Sequence, residues 1–132
     1  MTKETEITGS VTGSLKIVLR LEGLAAFITS LMAYGHFGYS WKLFFILFLF
    51  PNISFAGYLL GKTTGALAYN ALHSYILPLV FGVLCWHFEP SFLYIPLIWI
   101  THIGFDRVLG YGLKYTKGFG YTHLGMIKMW GK

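Results

Sequence analysis

The stretch Thr101-His102-Ile103-Gly104-Phe105-Asp106-Arg107 decides how this chain is read. It places three ionisable side chains near the end of an otherwise apolar run that is long enough to cross a bilayer. His102 and Asp106 are four positions apart, so on a helix they share one face, one turn apart. Charges at such depth are costly and need partners, so they mark a functional site by default. The question for the rest of the chain is what supplies those partners.

Composition sets the environment. Of 132 residues, 55% are hydrophobic, 19% aromatic and only 11% charged, and the mean hydropathy is +0.62. An ordinary soluble domain carries about 25% charged residues, and one this small has too much surface for its volume to hide that much apolar area. The expected class is an all-α integral membrane protein. The net charge of +5 is therefore read through membrane topology rather than as a nucleic-acid footprint. The single cysteine, Cys85, excludes an internal disulfide.

Working outward, residues 1–13 read as a disordered polar tail. Residues 14–112 read as a domain of four spans, and 113–132 as an interfacial cytoplasmic tail rich in Gly, Tyr, Trp and Lys. The spans are expected at about Leu15–Tyr34, Leu43–Leu60, Ala66–Phe88 and Phe92–Leu109. Pro51 kinks the second and Pro78 lies within the third. The short Glu89-Pro90-Ser91 connection makes spans three and four antiparallel neighbours. In span one, Glu22 is expected to face protein, because its helical neighbours Ala26, Thr29 and Ala33 are small enough for another helix to approach.

Nine of the ten Lys and Arg residues fall on the side of the termini, and Lys42 alone lies opposite. A four-helix bundle in the inner membrane with both termini cytoplasmic follows from the positive-inside rule. Measured from each helix's cytoplasmic end, Glu22 comes at roughly 10 Å, Asn52 at roughly 13 Å, Asn70 and His73 at roughly 6–10 Å, and His102 and Asp106 at roughly 5–12 Å. All four spans thus add a polar group to one layer, expected to form a pocket open to the cytoplasm.

Three chemistries fit that layer. Glu22, His73, His102 and Asp106 are the mix of imidazole and carboxylate that holds zinc, manganese or non-haem iron. The same side chains could instead act as catalytic acids and bases without a metal, or relay protons in an oligomeric transporter. Asn52 and Asn70 would orient them. Against all three stands a structural role in which Asp106 and Arg107 pair with Glu22 and Arg20, and Asn70 and His73 satisfy backbone groups freed by Pro51. Arg107 faces away from His102 and is read as a snorkelling or lipid-phosphate contact. His123 is read as an exposed tail residue that would otherwise fold back as a lid.

Several segments carry a resemblance: Arg20-Leu21-Glu22-Gly23, Pro51-Asn52-Ile53-Ser54 with Gly57-Tyr58-Leu59, Gly65-Ala66 with Tyr69-Asn70 and His73, then His102 to Arg107, Gly110-Tyr111-Gly112-Leu113-Lys114-Tyr115, and Thr122-His123-Leu124-Gly125. In this order the chain resembles the small bacterial membrane proteins numbered 4260 among the domains of unknown function. The resemblance implies a bacterial multi-pass membrane protein without an assigned activity. It also implies that Lys114 and His123 belong to the site. In the family pattern the place of Asn52 is more often Asp, a departure that weakens the metal reading.

The function expected from these residues is a small membrane-embedded enzyme, metal-dependent or acid/base, acting on a lipid-like substrate. The alternative is an oligomeric transporter subunit or a membrane accessory protein. Convergence of the His73, His102, Asp106 and Glu22 donor atoms within about 4–5 Å would favour a metal.

Overall fold

A computed structural model describes residues 10–116 and 119–126. Expectations for residues 1–9, 117–118 and 127–132, including most of the N-terminal tail, lie outside the described residues. Helix α1 spans Gly13–His36, α2 Trp41–Leu47, α3 Lys62–His73, α4 Ile76–Phe88 and α5 Tyr94–Leu109. A 3-10 helix covers Phe50–Leu60, and a two-stranded hairpin pairs β1 (Tyr121–Thr122) with β2 (Gly125–Met126). Three stretches are long and apolar enough to cross a membrane: Gly13–His36, Trp41–Leu60 and Pro90–Leu109. Helices α3 and α4, bent by 42° at their junction, make a fourth if the pair is one broken span. Many large apolar side chains on these helices lie exposed, among them Leu59, Leu60, Phe45 and Phe88.

The break between α3 and α4 follows from Pro78. Proline has no N–H and its ring clashes with the carbonyl four residues back, which here belongs to Ser74. Ser74 accordingly turns extended, at φ −97° and ψ 155°. The uninterrupted third span expected from the sequence is corrected to two helices on this account. The break frees carbonyls, and α5 answers them with side chains. Trp99 Nε1 donates to the Leu72 carbonyl at 2.7 Å, and Arg107 Nη2 donates to the His73 carbonyl at 2.9 Å.

Helices α1 and α5 cross at two glycines. A Cβ placed on Gly23 would lie 2.4 Å from the Arg107 Cβ, and one on Gly104 would lie 2.6 Å from the Gly23 carbonyl oxygen. Only glycine lets the two backbones come this near. Two turns along the same seam, Ser30 Oγ and Thr101 Oγ1 meet at 2.6 Å, both buried. Beyond them Tyr34, Phe44 and Ile98 form an aromatic-aliphatic core.

This seam corrects the expected face of α1. The residues turned to α5 are Gly23, Ser30 and Tyr34, which are its buried positions. One position earlier is about 100° of helix rotation, so Glu22 points outward and is exposed, as is Thr29. Among the described residues Arg20 has no carboxylate partner either. Its Nε and Nη2 both donate to the Val108 carbonyl, at 2.9 and 2.6 Å, closing the end of α5.

Candidate intramembrane polar site

Three expected residues converge. His73 comes from the last turn of α3, and His102 and Asp106 from adjacent turns of α5. Their donor atoms all lie within 4.8 Å of one another. His102 Nε2 is 3.3 Å from Asp106 Oδ2 and 3.3 Å from His73 Nε2, and His73 Nε2 is 3.7 Å from the same Asp106 oxygen. Asn52, from the 3-10 helix, adds a fourth atom, with Oδ1 3.1 Å from His73 Nε2. The two imidazoles are buried, each with 3% of the side chain exposed, whereas Asp106 retains 17%. Asp106 is therefore the most exposed of the three.

The tautomer of His73 is set by its backbone. Its Nδ1 lies 2.9 Å from the Tyr69 carbonyl one turn earlier. A carbonyl only accepts, so Nδ1 carries the proton and the neutral ring presents a bare Nε2 to the cluster. Tyr69 also lies flat on His73, with ring centroids 3.7 Å apart and planes within 6°. The sequence signal for this contact is the place of Tyr69 four residues before His73 on one helix.

The other expected residues take different places. Glu22 is not brought into the cluster, for the rotational reason given above. Arg107 is corrected from a lipid-facing contact. Its guanidinium bonds into the α3–α4 break and sits 5.4 Å from the centroid of the Tyr75 ring. Asn70 does not serve the Pro51 kink but clamps the segment after α5. Its Nδ2 donates to the Lys114 carbonyl at 2.8 Å and its Oδ1 accepts from the Lys114 N–H at 2.6 Å. His73 Nε2 likewise lies beside the side chain of Asn52, 3.1 Å from its Oδ1, rather than beside a backbone group freed by Pro51.

That clamp lays residues 110–116 and 119–126 back over the helices. Lys114 is buried, its Nζ donating to the Phe119 carbonyl at 2.7 Å and lying between the Phe119 and Tyr69 rings, at 3.7 and 4.6 Å from their centroids. Burial lowers its ammonium to about 8, against the opposing pull of Asp106. His123 is half-buried rather than an exposed tail residue, and its Nδ1 accepts from the Leu113 N–H at 2.9 Å. Burial, then the nearby Arg107 charge, lowers its pKa. Gly112 permits this fold-back, since a Cβ there would fall 2.5 Å from His123 Nδ1.

On its other side the cluster adjoins apolar surface. Phe48 meets the His102 ring edge-on, with centroids 5.2 Å apart. The same Phe48 lines an apolar groove of about 330 Å³, shared with Phe27, Leu31, Phe44, Phe45 and Phe105. Among the described residues, the buried His102 Nδ1 has no hydrogen-bond partner.

Residues 16–127 match the family model described as "Domain of unknown function (DUF4260)". The chain belongs to that family. No curated protein and no solved structure matches it. What the DUF4260 chain does must therefore be argued from its own side chains.

Proposed function

We propose that this DUF4260 protein is a small membrane-embedded enzyme acting on a lipid-like or apolar substrate, with His73, His102 and Asp106 as its reacting groups. The observation that carries the reading is the junction at Phe48. One of its neighbours is the imidazole of His102 and the other is an aromatic groove without polar lining. An apolar molecule held in that groove lies next to groups able to take up or deliver a proton.

Asp106 accepts a proton from His102 Nε2 or orients that ring. His73, fixed by Tyr69, offers a lone pair on the same spot. Asn52 adjoins the same atom of His73, and Asn70 holds the Lys114 segment in place. The expected topology is four spans, counting α3 and α4 as one bent span, in the inner membrane with both termini cytoplasmic. Its support is the nine-to-one distribution of Lys and Arg. In that orientation the polar cluster sits in the cytoplasmic half of the bilayer. Reporter fusions at the two termini and in the Lys42 turn test this topology, and a periplasmic reporter signal from either terminus contradicts it.

The activity is tested by incubating the reconstituted protein with a total lipid extract and comparing lipid species by mass spectrometry. The wild-type chain is expected to deplete at least one species, His102→Ala to leave it intact, and Phe48→Trp to slow its loss by filling the groove. An extract unchanged by the wild-type chain contradicts the enzyme reading and favours the alternative of a membrane accessory protein.

A further inference from the structure

We infer that His73 Nε2, His102 Nε2, Asp106 Oδ2 and Asn52 Oδ1 form a four-coordinate site for a divalent ion of the zinc class. With an ion bound, these side chains serve as its ligands rather than as proton carriers, so this inference stands apart from the acid/base roles given above and is tested separately from them. The first argument is geometric. Four ligands at zinc-like bond lengths of about 2.0–2.2 Å in a tetrahedron lie roughly 3.3–3.6 Å from one another. The three edges among His73 Nε2, His102 Nε2 and Asp106 Oδ2 measure 3.3, 3.3 and 3.7 Å, and Asn52 Oδ1 stands next to this triangle, 3.1 Å from His73 Nε2.

The second argument counts hydrogens. The proton of His73 is committed to the Tyr69 carbonyl, so its Nε2 brings only a lone pair. A carboxylate oxygen and an amide oxygen bring lone pairs as well. Neutral His102 can place at most one proton among the four atoms. Three or four lone pairs then face one another in a buried space, and a cation removes that repulsion.

The third argument is the surrounding shell. A metal-bound imidazole usually donates its other N–H to a carbonyl or carboxylate, and His73 does so to Tyr69. Among the described residues His102 Nδ1 lacks such an acceptor, which lowers the affinity without removing the site. Two imidazoles select zinc-class ions over Mg²⁺ and Ca²⁺, which take oxygen ligands. Asn52 is the one neutral oxygen donor, so its corner is the weakest and the one water or substrate would displace.

The test is titration of the detergent-purified, metal-stripped full chain with Zn²⁺ against a competing chelator dye, and with Co²⁺ followed by its visible d–d bands. The wild-type chain is expected to take up about one equivalent of either ion and to show the intense bands of four-coordinate Co²⁺. His102→Ala should weaken binding by roughly 100-fold or more, and Asn52→Leu by roughly 10-fold. Asn52→Asp should strengthen it, whereas His87→Ala, on the exposed end of α4, should change nothing. A wild-type chain that binds under a tenth of an equivalent and gives no Co²⁺ bands overturns the inference, as does His102→Ala binding at wild-type strength. If metal is absent yet lipid turnover still depends on His102, the metal site falls and the enzyme reading stands. Metal uptake without turnover gives the reverse.

Discussion

Helix α5 presents two seams that differ in kind. Against α1 it is made of small residues. Gly104 meets Gly23 backbone to backbone, and Thr101 meets Ser30 through hydroxyls already bonded within their own helices. Against α3 and α4 it is made of large polar side chains answering a broken helix. Trp99 and Arg107 take the freed carbonyls while His102 and Asp106 close on His73. The first seam positions and the second gathers chemistry. Rigidity in one allows several uncompensated donor atoms to be held in the other.

The sharpest way to break the comparison is Gly104→Leu. With the Gly23 carbonyl and the Phe27 nitrogen within 2.7 Å of an added Cβ, the helices must part. Overpacking of this kind costs about 1–3 kcal/mol, occasionally more. A large fall in the thermal midpoint in detergent is expected, and an unchanged midpoint would show that the seam is not packed this way.

Arg107→Met tests the second seam. It removes the donor to the His73 carbonyl and leaves that oxygen unsatisfied, at about 1–3 kcal/mol. Because the same residue carries the His73 ring, metal uptake is expected to fall along with the midpoint. Loss of stability with uptake unchanged would mean that the break and the cluster are independent.

Much of this was legible in the sequence, and the failures have identifiable physical causes. The four-residue spacing of His102 and Asp106 put them on one face, and counting depth along each span brought His73 and Asn52 to the same level. Glu22 was misplaced because the small residues Ala26, Thr29 and Ala33 suggested one stripe, while Gly23 and Ser30, one step around, make the actual contact. A hydrophobic all-round helix has too little polar contrast to fix its rotation. Arg107 was sent to the headgroups because the carbonyls that receive it exist only after Pro78 breaks the span at Ser74. The Asn70 clamp joins positions 44 residues apart, a distance that local periodicity does not reach.

A smaller effect concerns the cover over the cluster. Burial holds the Lys114 ammonium at about 8, below the usual 10.5. Between those values the unfolded chain binds more protons than the folded one, so stability contributed at this residue rises with pH across that window. Below about 8 both states hold the proton and the burial penalty is constant. Comparing thermal midpoints of the wild-type chain and Lys114→Met from pH 7 to 10.5 should show a rise that the variant lacks. Parallel profiles would place Lys114 in solvent.

The smallest effect belongs to the first seam. Ser30→Ala removes one interhelical hydroxyl contact, and such bonds between apolar helices average about 0.6 kcal/mol. A slight fall in midpoint with metal uptake unchanged is expected, and a loss of metal binding would contradict the division between the two seams.

Side chains from three different segments meet at one buried point, and X-ray absorption at the zinc edge of the loaded protein reports whether they act together as ligands. The expected first shell is mixed nitrogen and oxygen at about 2.0–2.2 Å, with the outer-shell scattering of two imidazole rings, reduced to one in His102→Ala. A shell of oxygen alone, unaltered by that substitution, would contradict it.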